Sequence, residues 1–318
     1  MGDYQGAGSE WSRYWSGRAG NDSSEVYAFQ GLEADEELKD FWKGVISDFP
    51  KTARIADLAC GAGSVIRHAH ALGYSNLTGV DISPDAIALM QSRYPGVRGV
   101  VSNIGSLPFP EDSFDLLVSQ FGFEYAGATP SLEAIAPALS KGGRFVGIVH
   151  MTEGAIAREC RANKAACDAL EDTGFIPAAM RVFEAYDTAE RTGTDADKRA
   201  LSAALEDLEA PRQAIADLAA KKHDLAGHTL SGTQIMFNRR RFYKLEDILD
   251  WLQRVKDENL AHAARMQGMV DASLTREQVI DHLGRLKELG FTAREPEAMM
   301  QGSPAEPIGW IFDATKTS

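Results

Sequence analysis

Apolar positions along the chain change period twice. In 33–49, Leu38, Phe41, Trp42, Val45 and Ile46 recur at spacings of three and four, which predicts an amphipathic helix stopped by Pro50. From Ala53 short apolar runs alternate with helix-period segments. The runs predict strands over 53–58, 77–80 (closing on Asp81), 97–101, 114–119 and 144–150. Between them, helices are expected over 64–72, from Pro84 towards Pro95, and over 132–139. Ser83 suits the cap of the second and Pro84 its first turn, while Lys141-Gly142-Gly143 is expected to end the third. Strands alternating with helices imply a parallel sheet with right-handed crossovers and helices on both faces.

After His150 the alternation stops, and 154–289 reads almost wholly helical. Leu201, Leu205, Leu208, Ile215 and Leu218 form one apolar stripe, and Ile248, Leu249, Leu252, Val255 and Leu260 another. Such stripes are ordinarily packing faces. The end returns to β character, with short strands at 290–294 and 308–312 separated by Pro304 and Pro307. Two strands after a long helical excursion suggest an insertion into one core. The expected organisation is an N-terminal aromatic and helical cap (1–50, with Tyr4, Trp11, Tyr14, Trp15 and Tyr27), a core of 51–150 with 286–318, and a helical insertion of 151–285.

The 318 residues carry a formal net charge of -13, which disfavours a nucleic-acid partner, since phosphate binding needs a basic face. Arg239-Arg240-Arg241 is the best candidate for a local basic patch and reads more simply as a solvated face. No uncharged apolar run reaches the roughly 18 residues a membrane helix requires. The first residues lack a basic start and an apolar signal core, so a cytoplasmic protein with free thiols is expected. Cys160 and Cys167 would share a helix face. Core packing is the simpler reading, because no Cys-x-x-Cys or histidine partner accompanies them to make a metal site.

The most informative segment is Asp57-Leu58-Ala59-Cys60-Gly61-Ala62-Gly63, at a strand-to-helix junction. Glycine there lets the backbone turn at positive φ and approach a ligand closely. The helix N-terminus that follows offers free N–H groups. Asp81, ending the second strand, suits ribose hydroxyls. Together they indicate a nucleoside-containing ligand at the C-terminal edge of the sheet. A dinucleotide dehydrogenase uses similar geometry, but its Gly-x-Gly-x-x-Gly would need glycine where this chain has Ile66.

Asp57-x-x-Cys60-Gly61-x-Gly63 resembles the first motif of class I S-adenosylmethionine (SAM)-dependent methyltransferases. Asp81 matches their ribose-binding acid. Asn103-Ile104-Gly105-Ser106-Leu107-Pro108-Phe109 resembles the segment after their third strand, 113–116 the start of their fourth, and 139–145 the turn before their fifth. The resemblance covers about 51–150 and 285–316. It implies a seven-stranded Rossmann-like α/β sheet with a large helical insertion between strands five and six. It also implies SAM as methyl donor and S-adenosylhomocysteine as product. Asp57, Gly61 and Gly63 would line the methionine end. Asp81 and Ile82 would flank ribose and adenine, Asn103 and Ile104 would meet the adenine, and Gln120 and Phe121 would lie beside the methyl. Asn103 departs from the family's usual aspartate: its carbonyl still accepts, without charge assistance.

Methyl transfer is an in-line displacement that positioning alone can largely promote. A base is needed only for a hydroxyl or a protonated amine. His150, Glu124 and Tyr125 are the candidates, with His223 and His228 in the helical insertion behind them; no metal is implied. The expected partner is a small-molecule methyl acceptor. The insertion, following strand five, would serve as lid, substrate wall or homodimer contact. Methylation of a peptide or protein docked there, and a SAM-binding protein without catalysis, are the alternatives.

Overall fold

Ile55–Leu58 is buried at all four positions, and so is Leu77–Asp81, the pattern of parallel strands covered on both faces. The computed structural model describes Trp15 and residues 35–318 apart from Lys222, Ser303 and Ser318. The expected contributions of Tyr4, Trp11, Tyr14 and Tyr27 lie outside the described residues.

After helix α1 (Asp35–Ser47), the strands β1 (Ile55–Leu58), β2 (Leu77–Asp81), β3 (Arg98–Val101), β4 (Phe114–Gln120) and β5 (Leu139–His150) alternate with α2 (Ser64–Ala71), α3 (Pro84–Arg93) and α4 (Ala128–Ala138). Six helices follow: α5 (Ala155–Asp172), α6 (Phe175–Thr192), α7 (Asp195–Ala220), α8 (Asp224–Asn238), α9 (Leu245–Ala272) and α10 (Arg276–Glu288). Strands β6 (Phe291–Ala293), β7 (Glu297–Gln301) and β8 (Glu306–Lys316) close the chain. The sheet order is β3-β2-β1-β4-β5-β8, with β6 and β7 sharing the outer edge of β8 and so filling the seventh position together. β1 to β5 are parallel, and β8 is antiparallel to β5, with His150 opposite Gly309.

Local chemistry explains the element ends. Ser83 accepts the Ala86 N–H at 3.1 Å and Pro84 begins α3, as expected. Thr275 and Gln278 form a reciprocal capping box on α10. Two details differ from the sequence reading. Lys141-Gly142-Gly143 does not end a helix: α4 stops at Ala138, and β5 begins at Leu139, which pairs with Phe114. Strand β7, between the expected last two strands, was not foreseen.

The chain divides into two compact units. One comprises the described residues up to Arg158 together with Ala272 onwards, and the other is Glu159–Asp271. The first is built on Leu58, Leu117, Phe123, Phe145 and Phe312, none of them accessible to solvent, with Leu283 and Leu286 of α10 in the same cluster. The second packs Phe175, Ile176, Phe183, Ile215, Ile248 and Leu252. The outer members of its stripes, Leu205 and Leu260, are exposed. Cys160 and Cys167 are buried, and Cys160 Sγ packs 3.8 Å from Met269 Sδ. Burial pushes the Cys160 thiol up to about 11, so it stays protonated at neutral pH. No group of ligating side chains among the described residues is arranged for a metal. No described helix is long and apolar enough to cross a membrane.

Candidate active site

The order in which strands are laid down reverses at β1: β2 and β3 lie on one side of it, β4 and β5 on the other. Ligands of such sheets bind outside the carboxyl ends of the strands at this switch point. The described candidate residues at the ends of β1, β2, β4 and β5, and the segment after β3, occupy that edge.

The turn after β1 is tightly wound. Ala59 (φ 54), Gly61 (φ 52) and Gly63 (φ 93) adopt left-handed conformations, the last capping α2. A methyl group on Gly61 would lie 2.6 Å from the indole of Trp15, which is itself buried on this turn. Asp57 is buried beneath it. Ile66, where a dinucleotide fold would carry its third glycine, is buried on α2. Asp81 Oδ2 accepts the Gly61 N–H at 2.9 Å and Oδ1 the Ser83 N–H at 2.9 Å. Burial pushes the Asp81 carboxyl above the ordinary 3.8, against the pull of the N–H groups of Ser83, Gly61 and Ile82. A carboxylate offers about four lone-pair sites, so acceptor capacity remains for a hydroxyl donor.

Past β3, Asn103 Oδ1 accepts the Gly105 N–H at 2.8 Å and caps a short 3-10 turn, Ile104–Ser106. This commitment of the amide oxygen is a local Asx turn that the Asn-x-Gly spacing could have signalled. Ile104 is buried in the core cluster, whereas Ile82 is half-buried.

Beyond β4 the chain folds back on the glycine turn. Ser119 Oγ donates to the Leu58 carbonyl at 2.8 Å and accepts the Phe123 N–H at 3.1 Å. Phe121 has a φ of 53, and its N–H donates to the Ile148 carbonyl at 2.7 Å. Trp42 of α1 donates its indole N–H to Gln120 Oε1. That contact orients Gln120, and nothing in the spacing of the two residues announced it.

Glu124 and His150, 26 positions apart, meet at this edge. Glu124 Oε1 accepts from His150 Nδ1 at 2.6 Å and from the His150 backbone N–H at 2.9 Å. Both residues are buried, and Glu124 Oε2 has no hydrogen-bond partner among the described residues. The Phe121 ring lies 4.7 Å from the imidazole, and the Tyr125 ring stands edge-on at 5.9 Å. Three of the catalytic candidates and one cofactor candidate thus form a single cluster. His223, by contrast, caps α8: its Nδ1 accepts the Ala226 N–H and its Nε2 donates to the Ala166 carbonyl. His228 packs against Trp251.

Residues 55–143 match a family model described as a methyltransferase domain. Over those residues the chain carries a class I SAM-dependent methyltransferase domain. It is 34% identical over 134 residues to human methyltransferase-like protein 27, covering 40% of this chain and 52% of that one. It is 28% identical over 147 residues to the rat mitochondrial arginine-hydroxylase NDUFAF5, covering 46% of this chain and 41% of that one. The match thus spans about half, or less, of these curated relatives' length. Among solved structures, a SAM-dependent methyltransferase from Mesorhizobium loti is 31% identical, covering 35% of this chain and 54% of that one, with a TM-score of 0.32.

Proposed function

We propose that this chain transfers the methyl group of SAM to a small-molecule acceptor at the carboxyl edge of β1, β4 and β5. The observation that carries the reading is the burial of the Glu124–His150 pair at the edge that also holds the glycine turn. Polar groups enclosed this way suit a small acceptor drawn out of water. When bound, SAM supplies a methyl on a sulfonium, whose sulfur leaves readily.

The chain's own residues bind and orient. The turn Asp57–Gly63 holds the methionine end through backbone N–H groups. Asp81 and Ile82 hold the ribose and one side of the adenine, and the Asn103–Ile104 segment the other. The geometry of Asp81 fits this role, because its two oxygens are fixed by backbone N–H groups yet retain acceptor capacity. Gln120, oriented by Trp42, and Phe121 border the methyl. Catalysis is then mostly alignment of nucleophile, carbon and sulfur.

Calorimetry with SAM and S-adenosylhomocysteine, against NAD as control, tests the cofactor. Stoichiometric binding of both adenosyl ligands and none of NAD is expected. Transfer of labelled methyl from SAM into metabolite-sized acceptors tests the reaction. Label appearing only in protein would replace the small acceptor with a polypeptide.

A further inference from the structure

We propose that Glu124 and His150 act as one proton-accepting unit, and that the methyl acceptor is therefore protic, a hydroxyl or an ammonium nitrogen. This rests on the methyl-transfer reading and adds the acceptor's chemical class to it. Glu124 Oε1 accepts both the backbone N–H and Nδ1 of His150, at 2.9 and 2.6 Å. A carboxylate in that position requires the ring proton on Nδ1, so Nε2 presents a lone pair.

The imidazole cannot turn this pair away. Phe121 packs beside it and Tyr125 stands edge-on, while its backbone pairs with Gly309 and accepts the Leu274 N–H at 2.8 Å. Among the described residues, Glu124 and Tyr125 are titratable groups that face the ring. Glu124 Oε2, moreover, is buried and without a partner among the described residues. A buried acceptor left unpaired marks a site for a further donor. A hydroxyl or ammonium group supplies hydrogen; a thioether or an alkene supplies none.

An ammonium acceptor first gives one proton to His150 Nε2, which frees its nitrogen lone pair; a hydroxyl gives up its proton to Nε2 as it attacks. In either case the acceptor's lone pair forms a bond to the methyl carbon as the carbon–sulfur bond breaks, and sulfur keeps that electron pair as a neutral thioether. The resulting imidazolium lies against the Glu124 carboxylate, which is why the pair works as a unit. Glu124 is a positioning residue, and His150 Nε2 is the base.

Nitrogen-15 NMR of histidine-labelled protein reads the tautomer of His150 with no acceptor present. The expected result is a neutral ring protonated on Nδ1, with an Nδ1–H resonance that moves in Glu124→Gln. A proton resident on Nε2, or an Nδ1–H resonance indifferent to Glu124→Gln, overturns the proposal. The second arm uses labelled SAM with a panel of phenols, alcohols and primary amines, set against thioethers and alkenes. Label is expected in protic members, and His150→Gln should lower kcat about 100-fold or more and flatten the rising limb of the pH profile, with the Kd for SAM unchanged. Label in the aprotic members at a rate that His150→Gln leaves untouched overturns it. Loss of SAM binding in the unaltered protein would instead remove the methyl-transfer reading, and the NMR result would still stand by itself.

Discussion

Asp81 Oδ2 holds the backbone N–H of Gly61 at 2.9 Å, so the acid that ends β2 clamps the turn that follows β1. Its other oxygen holds Ser83 at 2.9 Å. One side chain thereby links two elements and, under the proposed function, meets the ribose. Asp81→Asn offers one amide oxygen where two carboxylate oxygens served. A hydrogen bond to a charged group contributes about 1.5–3 kcal/mol, so the Kd for SAM should rise about 10- to 100-fold. Calorimetry checks this, and a Kd within a factor of about two of the original would take Asp81 out of the ribose site.

Gly122 sits where the chain after β4 crosses the glycine turn, and a methyl group there would lie 2.3 Å from Ala59 Cβ. Overpacking of this kind typically costs about 1–3 kcal/mol. Gly122→Ala should lower the melting temperature and weaken SAM binding together, because it pries the two segments apart. Adding Ala59→Gly removes the opposing methyl at a position with φ 54, which glycine adopts freely. The double variant should recover most of the loss in a calorimetric melt. If it does not, the contact is not the cause.

What could be read from the sequence follows from how local each signal is. Strands β1, β2 and β4 announced themselves as apolar runs because they are buried, β3 as a short apolar run although it is exposed at both ends on the sheet edge, and the helices of the second unit through their three- and four-residue spacing. β7 (Glu-Ala-Met-Met-Gln) gave no such signal: it pairs only with β8, and its burial alternates weakly. The residues at the strand ends were legible because they sit in turns of recognisable composition. Pairings between them were not. Glu124 meets His150 only because β4 and β5 are neighbours, and Trp42 reaches Gln120 across 78 positions.

Arg144 grips Asp313 with two bonds of 2.7 Å, joining β5 to β8, and reaches Asp48 just beyond α1 at 2.9 Å. The two partners are only 14% and 9% exposed. Removing one member of a buried pair strands the other and costs about 3–5 kcal/mol. Asp48 still answers Arg144 in Asp313→Asn, so the loss there should be smaller, about 2–3 kcal/mol. The melting temperature of the first unit should fall by several degrees. Arg144→Met and Arg144→Ala both leave Asp313 to Arg294 at 3.1 Å, but Met keeps much of the packing and should cost less. Equal losses would mean that the aliphatic stem contributes nothing.

Asp115, at the start of β4, accepts 2.7 and 3.2 Å bonds from the Arg54 guanidinium. The Arg54 hydrogen bond holds its carboxyl below the ordinary 3.8. The unfolded chain therefore binds this proton more readily than the folded one. The stabilisation is complete above about 3.8 and drains away as pH falls through the lower folded value. Arg54 and Asp115 are 47% and 34% exposed, so solvent screens the pair and its contribution stays below about 1 kcal/mol. Urea titrations between about pH 6 and pH 3 should show a steeper loss of midpoint in the original protein than in Asp115→Asn. In about 1 M salt, where the Debye length shrinks to about 3 Å, the difference should narrow. Identical slopes in the two proteins at low salt would show that Arg54 holds Asp115 no better in the folded chain than water does in the unfolded one.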